Sequence, residues 1–89
     1  MKFYKKNDDV LLTEQDEEAI VLHMGSEKYY SLNKVALLIY KQIMNQDSKA
    51  QIISKIIGKF KKKKKTANND FDKVVADMLE KEILLQDKI

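Results

Sequence analysis

The chain has 89 residues, 44% of them hydrophobic, with 17 basic residues, all lysine, against 14 acidic ones for a formal charge of +3. That length supports one small domain around one core and leaves no room for a second. The absence of cysteine excludes disulfides, thiolate metal sites and thiol nucleophiles, and the absence of arginine removes the commonest donor for bidentate guanine readout.

The first eight residues are expected to be flexible. They turn acidic where a signal peptide needs a long apolar stretch, and no apolar run approaches a membrane span, so a cytoplasmic protein with no membrane contact is expected. From Val10 to Leu32 the apolar residues come in short β-branched, aromatic or aliphatic runs, which predicts three strands. The first covers Val10 to Thr13, and the acidic cluster Glu14 to Glu18 connects it to the second, Ala19 to Met24. Gly25 and Ser26 suit a two-residue type II′ turn, after which a third strand runs from Glu27 to Leu32. The register stays open, because a three-residue loop would exchange the faces that meet.

After Asn33 the period shifts towards 3.6 and three helices follow. Asn33 is the expected N-cap of the first, which runs to Asn45 with Val35, Ala36, Leu38, Ile39 and Ile43 on its apolar face. Ser48 with Gln51 forms a capping-box pattern that starts the second, burying Ile52, Ile53, Ile56, Ile57 and Phe60. Gly58 weakens that helix by roughly 1 kcal/mol relative to alanine. Residues 61–69, beginning with the block Lys61 to Lys65, read as a basic loop. Asn69 or Asp70 then caps a third helix with Phe71, Val74, Val75, Met78 and Leu79 on one stripe, and Asp70 and Asp72 complement its dipole. Ile83, Leu84 and Leu85 close the core. The sum is an α+β, winged-helix-like fold: a three-stranded antiparallel sheet followed by three helices, in one domain over residues 1–89.

No residue pattern carries catalysis. His23 is the only histidine and has no cysteine or second histidine to complete a metal shell, so it reads as structural or surface. Asp16, Glu17 and Glu18 lack the apolar pocket that would raise one carboxyl pKa, and read as a solvated connection. Gly25 and Gly58 are the only glycines, which excludes phosphate-cradling loops. The lysine block reads as solvated, and the Tyr29–Tyr30 pair as half core and half surface. The informative feature is the third strand, Lys28, Tyr29, Tyr30, Ser31 and Leu32, whose edge could accept an extended peptide as a further strand. The alternative is an edge covered by the chain's own termini or by a second copy.

The order of an acidic loop, EEAIVLHM, a glycine turn, YYSLN leading into KVALLIYKQI, a second short helix and a final DMLEKEILL resembles the PqqD family from about Val10 to Leu85. Members are leader-recognition elements of pathways that make ribosomally synthesised, post-translationally modified peptides. The resemblance implies a non-catalytic binding module without cofactor or metal, a monomer or weak dimer. Its partners would be a precursor's leader peptide and a modifying enzyme, such as a radical SAM protein or a lasso-type leader peptidase. It implies that the leader pairs with Lys28 to Leu32 and lies against a wall of Val74, Asp77, Met78 and Lys81. Leu32 and Asn33 match the family's Leu-Asn step, read as core anchor and helix cap. Two departures stand out: Glu82 replaces the glycine usual before the closing apolar residues, and the lysine block lengthens a loop that is ordinarily short. The competing reading is a winged-helix nucleic-acid binder, opposed by the missing arginines and by Asp70, Asp72, Asp77 and Glu80 on the third helix. A purely structural subunit without a peptide ligand is the third.

Overall fold

The structure, a computed structural model, describes residues 3–87. In chain order the elements are β1 (Phe3–Lys6), β2 (Val10–Gln15), β3 (Glu18–His23), β4 (Lys28–Leu32), α1 (Lys34–Met44), α2 (Lys49–Phe60), α3 (Lys64–Glu80) and β5 (Leu84–Asp87). Strands β2, β3 and β4 form the antiparallel three-stranded sheet, in that order. Val10, Ala19, Val21 and Leu32 turn into the core while Leu11, Ile20 and Tyr29 face out, the period-two alternation of a sheet covered on one side.

Both hairpin connections differ from the sequence expectation. Asp16 and Glu17 are both left-handed, at φ 55° and 66°. They make a two-residue turn whose twist suits a hairpin, so β2 extends to Gln15 and β3 begins at Glu18. Beyond β3, neither glycine has positive φ; Glu27 takes it instead, at φ 59°. The type II′ turn therefore gives way to a four-residue connection, and β4 begins at Lys28 opposite His23.

The helix starts follow local chemistry. Asn33 Oδ1 accepts the Ala36 amide at 2.9 Å, and Ser48 and Gln51 complete a reciprocal capping box. In the turn between α1 and α2, Lys55 Nζ donates to Asp47 at 2.9 Å and holds that carboxyl below the usual carboxylate range. The third helix corrects the expected basic loop over residues 61–69. It starts at Lys64, with Lys63 at the N-cap making no side-chain cap bond. Ala67 is fully buried four residues before Phe71, so the apolar stripe extends a turn further back than the larger residues suggest. Asp70 consequently sits inside the helix, paired with Lys62, and not at its N-terminus.

Of the eight N-terminal residues expected to be flexible, residues 1 and 2 lie outside the described residues, and Phe3–Lys6 forms a strand. It pairs antiparallel with β5, Lys6 opposite Leu84, so the first and last described strands form a separate two-stranded ribbon. Asn7 fixes this closure: its Nδ2 donates to the Glu82 carbonyl at 2.7 Å, and its Oδ1 accepts the Asp9 amide at 3.0 Å. Ile83 and Leu84 are fully buried beside the helices.

Glu82 stands where glycine was expected, and its φ of 57° shows why glycine belongs there. The Ile83 amide donates to the Met78 carbonyl at 2.8 Å and the Glu82 amide to Leu79 at 3.1 Å, the paired bonds of a Schellman ending. Left-handed backbone costs a non-glycine residue about 1–2 kcal/mol, against about 0.4–1 kcal/mol for the extra freedom glycine brings to the unfolded chain. Glu82→Gly is therefore expected to stabilise the fold by about 0.5–1 kcal/mol, read as a higher urea midpoint at unchanged slope.

Candidate functional site

Which backbone groups of β4 are free follows from register. The Met24 amide donates to the Asp9 carbonyl at 2.8 Å, so on β3 the even-numbered residues turn their polar groups towards β2 and the odd-numbered ones towards β4. The partners of His23, Val21 and Ala19 are Lys28, Tyr30 and Leu32, whose groups are thereby committed to the sheet. Tyr29 and Ser31 point theirs the other way, into an edge that no described strand covers. Asn33 ends this edge, since its carbonyl accepts the Leu37 amide and its side chain caps α1. The pairing edge expected over Lys28 to Leu32 thus narrows to two residues.

Two amides and two carbonyls offer four hydrogen bonds, each worth about 1 kcal/mol net. Their sum corresponds to roughly millimolar affinity. Useful binding to this edge must therefore draw on side chains beside it.

Those side chains come from β4 and the C-terminal end of α3. Tyr30 is half-buried on the core side of the sheet, whereas Tyr29 is exposed on the other, the split expected of a strand pair. Lys81 Nζ lies 5.1 Å from the centre of the Tyr30 ring and 2.9 Å from Asp77 Oδ2. Tyr30, Asp77 and Lys81 are thus brought together, a contact that no short-range pattern in the sequence signals. Val74 is half-buried one turn earlier on α3. Met78 is placed differently from the expectation: with 0% exposure it belongs to the core and presents nothing to a ligand. Leu32 is likewise buried, as core anchor, and Lys28 is exposed at the start of the strand.

The remaining candidates resolve into local structure. His23 Nδ1 accepts the Ser26 amide at 3.2 Å and lies 3.1 Å from the Ser26 hydroxyl, so the ring closes the β3–β4 connection. Glu17 pairs with Lys59 at 3.6 Å. Among the described residues no group of three His, Cys, Asp or Glu is placed to hold a metal ion, and no helix is long and apolar enough to cross a membrane. A broad concavity between β1, the α1–α2 turn and α3 is lined by Tyr4, Met44, Phe71, Val75 and Leu79. It includes neither Tyr29 nor Ser31.

The sequence profile of the family described as coenzyme PQQ synthesis protein D (PqqD) matches residues 18–84. No curated protein has significant similarity to the chain. Among solved structures, TbiB1 in complex with the TbiA(beta) leader peptide superposes with a TM-score of 0.79 at 22% identity, over 90% of this chain and 93% of that one. A lasso peptide synthetase B1 complexed with the leader peptide gives 0.83 at 20% identity, over 92% and 96%. At such identities the likeness is one of fold.

Within the basic segment Lys62 is paired with Asp70, while Lys61 and Lys63 stand at the cap positions of the α2–α3 junction with exposed side chains. The exposed face of α3 adds Asp72 and Glu80. Duplex DNA is accordingly expected to bind no tighter than the non-specific range, about 10⁻⁴ to 10⁻⁶ M at physiological salt. A fluorescence-anisotropy titration checks this; nanomolar binding with a steep salt dependence would restore the nucleic-acid reading.

Proposed function

The chain belongs to the coenzyme PQQ synthesis protein D family, whose profile spans 18–84 of its 89 residues, and from that premise we propose that it holds the leader segment of a ribosomally made precursor peptide as an added strand on β4. The observation that carries this is the pair of outward-facing residues Tyr29 and Ser31 on an uncovered edge beside the Tyr30, Asp77 and Lys81 cluster. Two solved proteins that share the fold are complexes with leader peptides, which supports a leader peptide as the ligand here.

In this reading the peptide backbone bonds to Tyr29 and Ser31, and its side chains on the core side of the sheet rest against Tyr30, Val74 and the methylene stem of Lys81. Asp77 and Lys81 supply one charge of each sign, and Lys28 a further positive charge at the strand's start. Residues 1–89 act as one recognition domain that does no chemistry and carries no cofactor. Holding the leader keeps the precursor's modifiable segment near a processing enzyme, at an effective concentration on the order of millimolar for a short flexible tether. That enzyme would be a radical SAM protein or a leader peptidase, acting in the cytoplasm where the precursor is made.

The alternation in β4 makes the test residue-specific. The probe is a synthetic leader peptide taken from a short precursor reading frame sought among the neighbouring genes. In a residue-resolved amide exchange experiment it should slow exchange at Tyr29 and Ser31, whose amides are free, and change Tyr30 and Leu32 little, since those are already bonded to β3. Ser31→Pro deletes an outward amide and should weaken binding by about 1–3 kcal/mol with thermal stability retained. Lys81→Ala removes the methylene stem on which the peptide rests and should weaken binding by a smaller amount, about 1 kcal/mol. Protection centred on α2 and Lys61 to Lys65, with Tyr29 and Ser31 unchanged, rejects the added-strand mechanism.

A further inference from the structure

The face of the sheet turned away from the helices is apolar at its centre. Leu11, Leu22 and Tyr29 lie directly opposite one another across the three strands, and Thr13, Ile20 and Ser31 form the next row. Leu11 is 56%, Ile20 50%, Met24 48% and Tyr29 70% exposed, and these are all the exposed large hydrophobic residues among the described ones. Scattered exposed leucines are ordinary; four collected on one sheet face mark an interaction surface.

The segment that supplies two of its three strands carries one sign. Residues 8–27 contain seven acids and no lysine, whereas the rest of the chain holds 17 lysines and seven acids, so a segment of charge −7 is set against a remainder of +10. Asp9 flanks the face beside Met24, and Glu18 ends it opposite Gln15. Asp8, Asp9, Asp16, Glu18 and Glu27 make no ion pair among the described residues; only Glu14 and Glu17 are taken up by helix lysines. Two copies meeting through this face would set acid against acid, which disfavours a symmetric dimer.

We infer that this sheet face docks a different protein, one presenting an apolar surface edged with lysine or arginine, and that this partner is the processing enzyme. The inference rests on the leader-binding reading for the partner's identity, and the two surfaces are continuous. A peptide added to β4 would extend the Leu11, Leu22, Tyr29 row by one more outward side chain, so an enzyme seated on the face would meet the bound peptide at its edge.

The test uses the full chain, a purified radical SAM protein or leader peptidase sought among the neighbouring genes, and the synthetic leader, with each partner titrated separately. The double variant Leu11→Ser with Ile20→Ser should weaken enzyme binding by about tenfold or more, leave leader affinity within about twofold, and keep the thermal midpoint. Thr13→Lys, at an exposed polar position of the same face, gives a second reading and should weaken the enzyme contact by opposing its basic edge. Raising salt should weaken the wild-type contact as well. The inference fails if the wild type does not bind the enzyme, if both variants bind it like wild type, or if the variants lose the leader equally. It also fails if sedimentation shows a wild-type self-association that the variants dissolve, since the face would then be covered by a second copy. Loss of leader binding by the wild type would instead refute the added-strand reading, because the enzyme titration contains no leader.

Discussion

Among the described residues strand β4 is hydrogen-bonded on one side only, and the candidate site exists because of it. A central strand would have no free groups, and a strand shielded by another segment would have none within reach. The chain does have segments available for shielding, at its two ends. They pair with each other as β1 and β5, locked by the Asn7 bond to the Glu82 carbonyl, and so do not close the edge. The exposed edge is also short: β4 has five residues, and the alternation leaves two of them facing out before Asn33 turns the chain into α1. Short length and an exposed lysine at its start limit indiscriminate pairing with other strands.

The same strand links the two proposed surfaces through the pleat. Tyr29 sends its backbone groups to the edge and its side chain to the outer face, while Tyr30 sends its backbone groups to β3 and its side chain towards α3. Consecutive tyrosines therefore serve opposite sides of one sheet. A one-residue slip of the β3–β4 register would exchange both assignments together and expose Leu32 in place of a polar residue. The burial of Leu32 and its pairing with Ala19, also buried, hold the register against that slip.

What the sequence discloses about this arrangement divides by range. The caps at Asn33 and at Ser48 with Gln51 are legible because each joins residues three apart. The β1–β5 ribbon is not, since it joins two four-residue strands, each half polar, that lie far apart in the sequence. The start of α3 was hidden by composition: a run of lysines reads as a solvated loop, yet lysine is a good helix former and buried Ala67 extends the stripe. Periodicity puts Val74 and Met78 on one stripe of α3, and the family resemblance adds Lys81 beside them, but neither separates the floor of a groove from its wall. Packing did that, by burying Met78 completely and leaving Val74 and Lys81 half-exposed.

The contact between Lys81 and Tyr30 bears on how ready the site is before a peptide arrives. It joins the end of α3 to β4, and anything entering the space between them must share or displace it. At a half-exposed position a lysine over a tyrosine ring contributes about 0.5–1 kcal/mol, and the Asp77–Lys81 pair, four residues apart on a helix, about 0.3–0.5 kcal/mol. Displacing both costs less than the roughly 4 kcal/mol that four backbone bonds can return. The backbone of the edge itself needs no rearrangement, because Tyr29 and Ser31 already point outward from a strand held by the core. Recognition can then proceed by moving one flexible lysine side chain over a fixed strand, which keeps the ordering cost on the peptide's side of the interface.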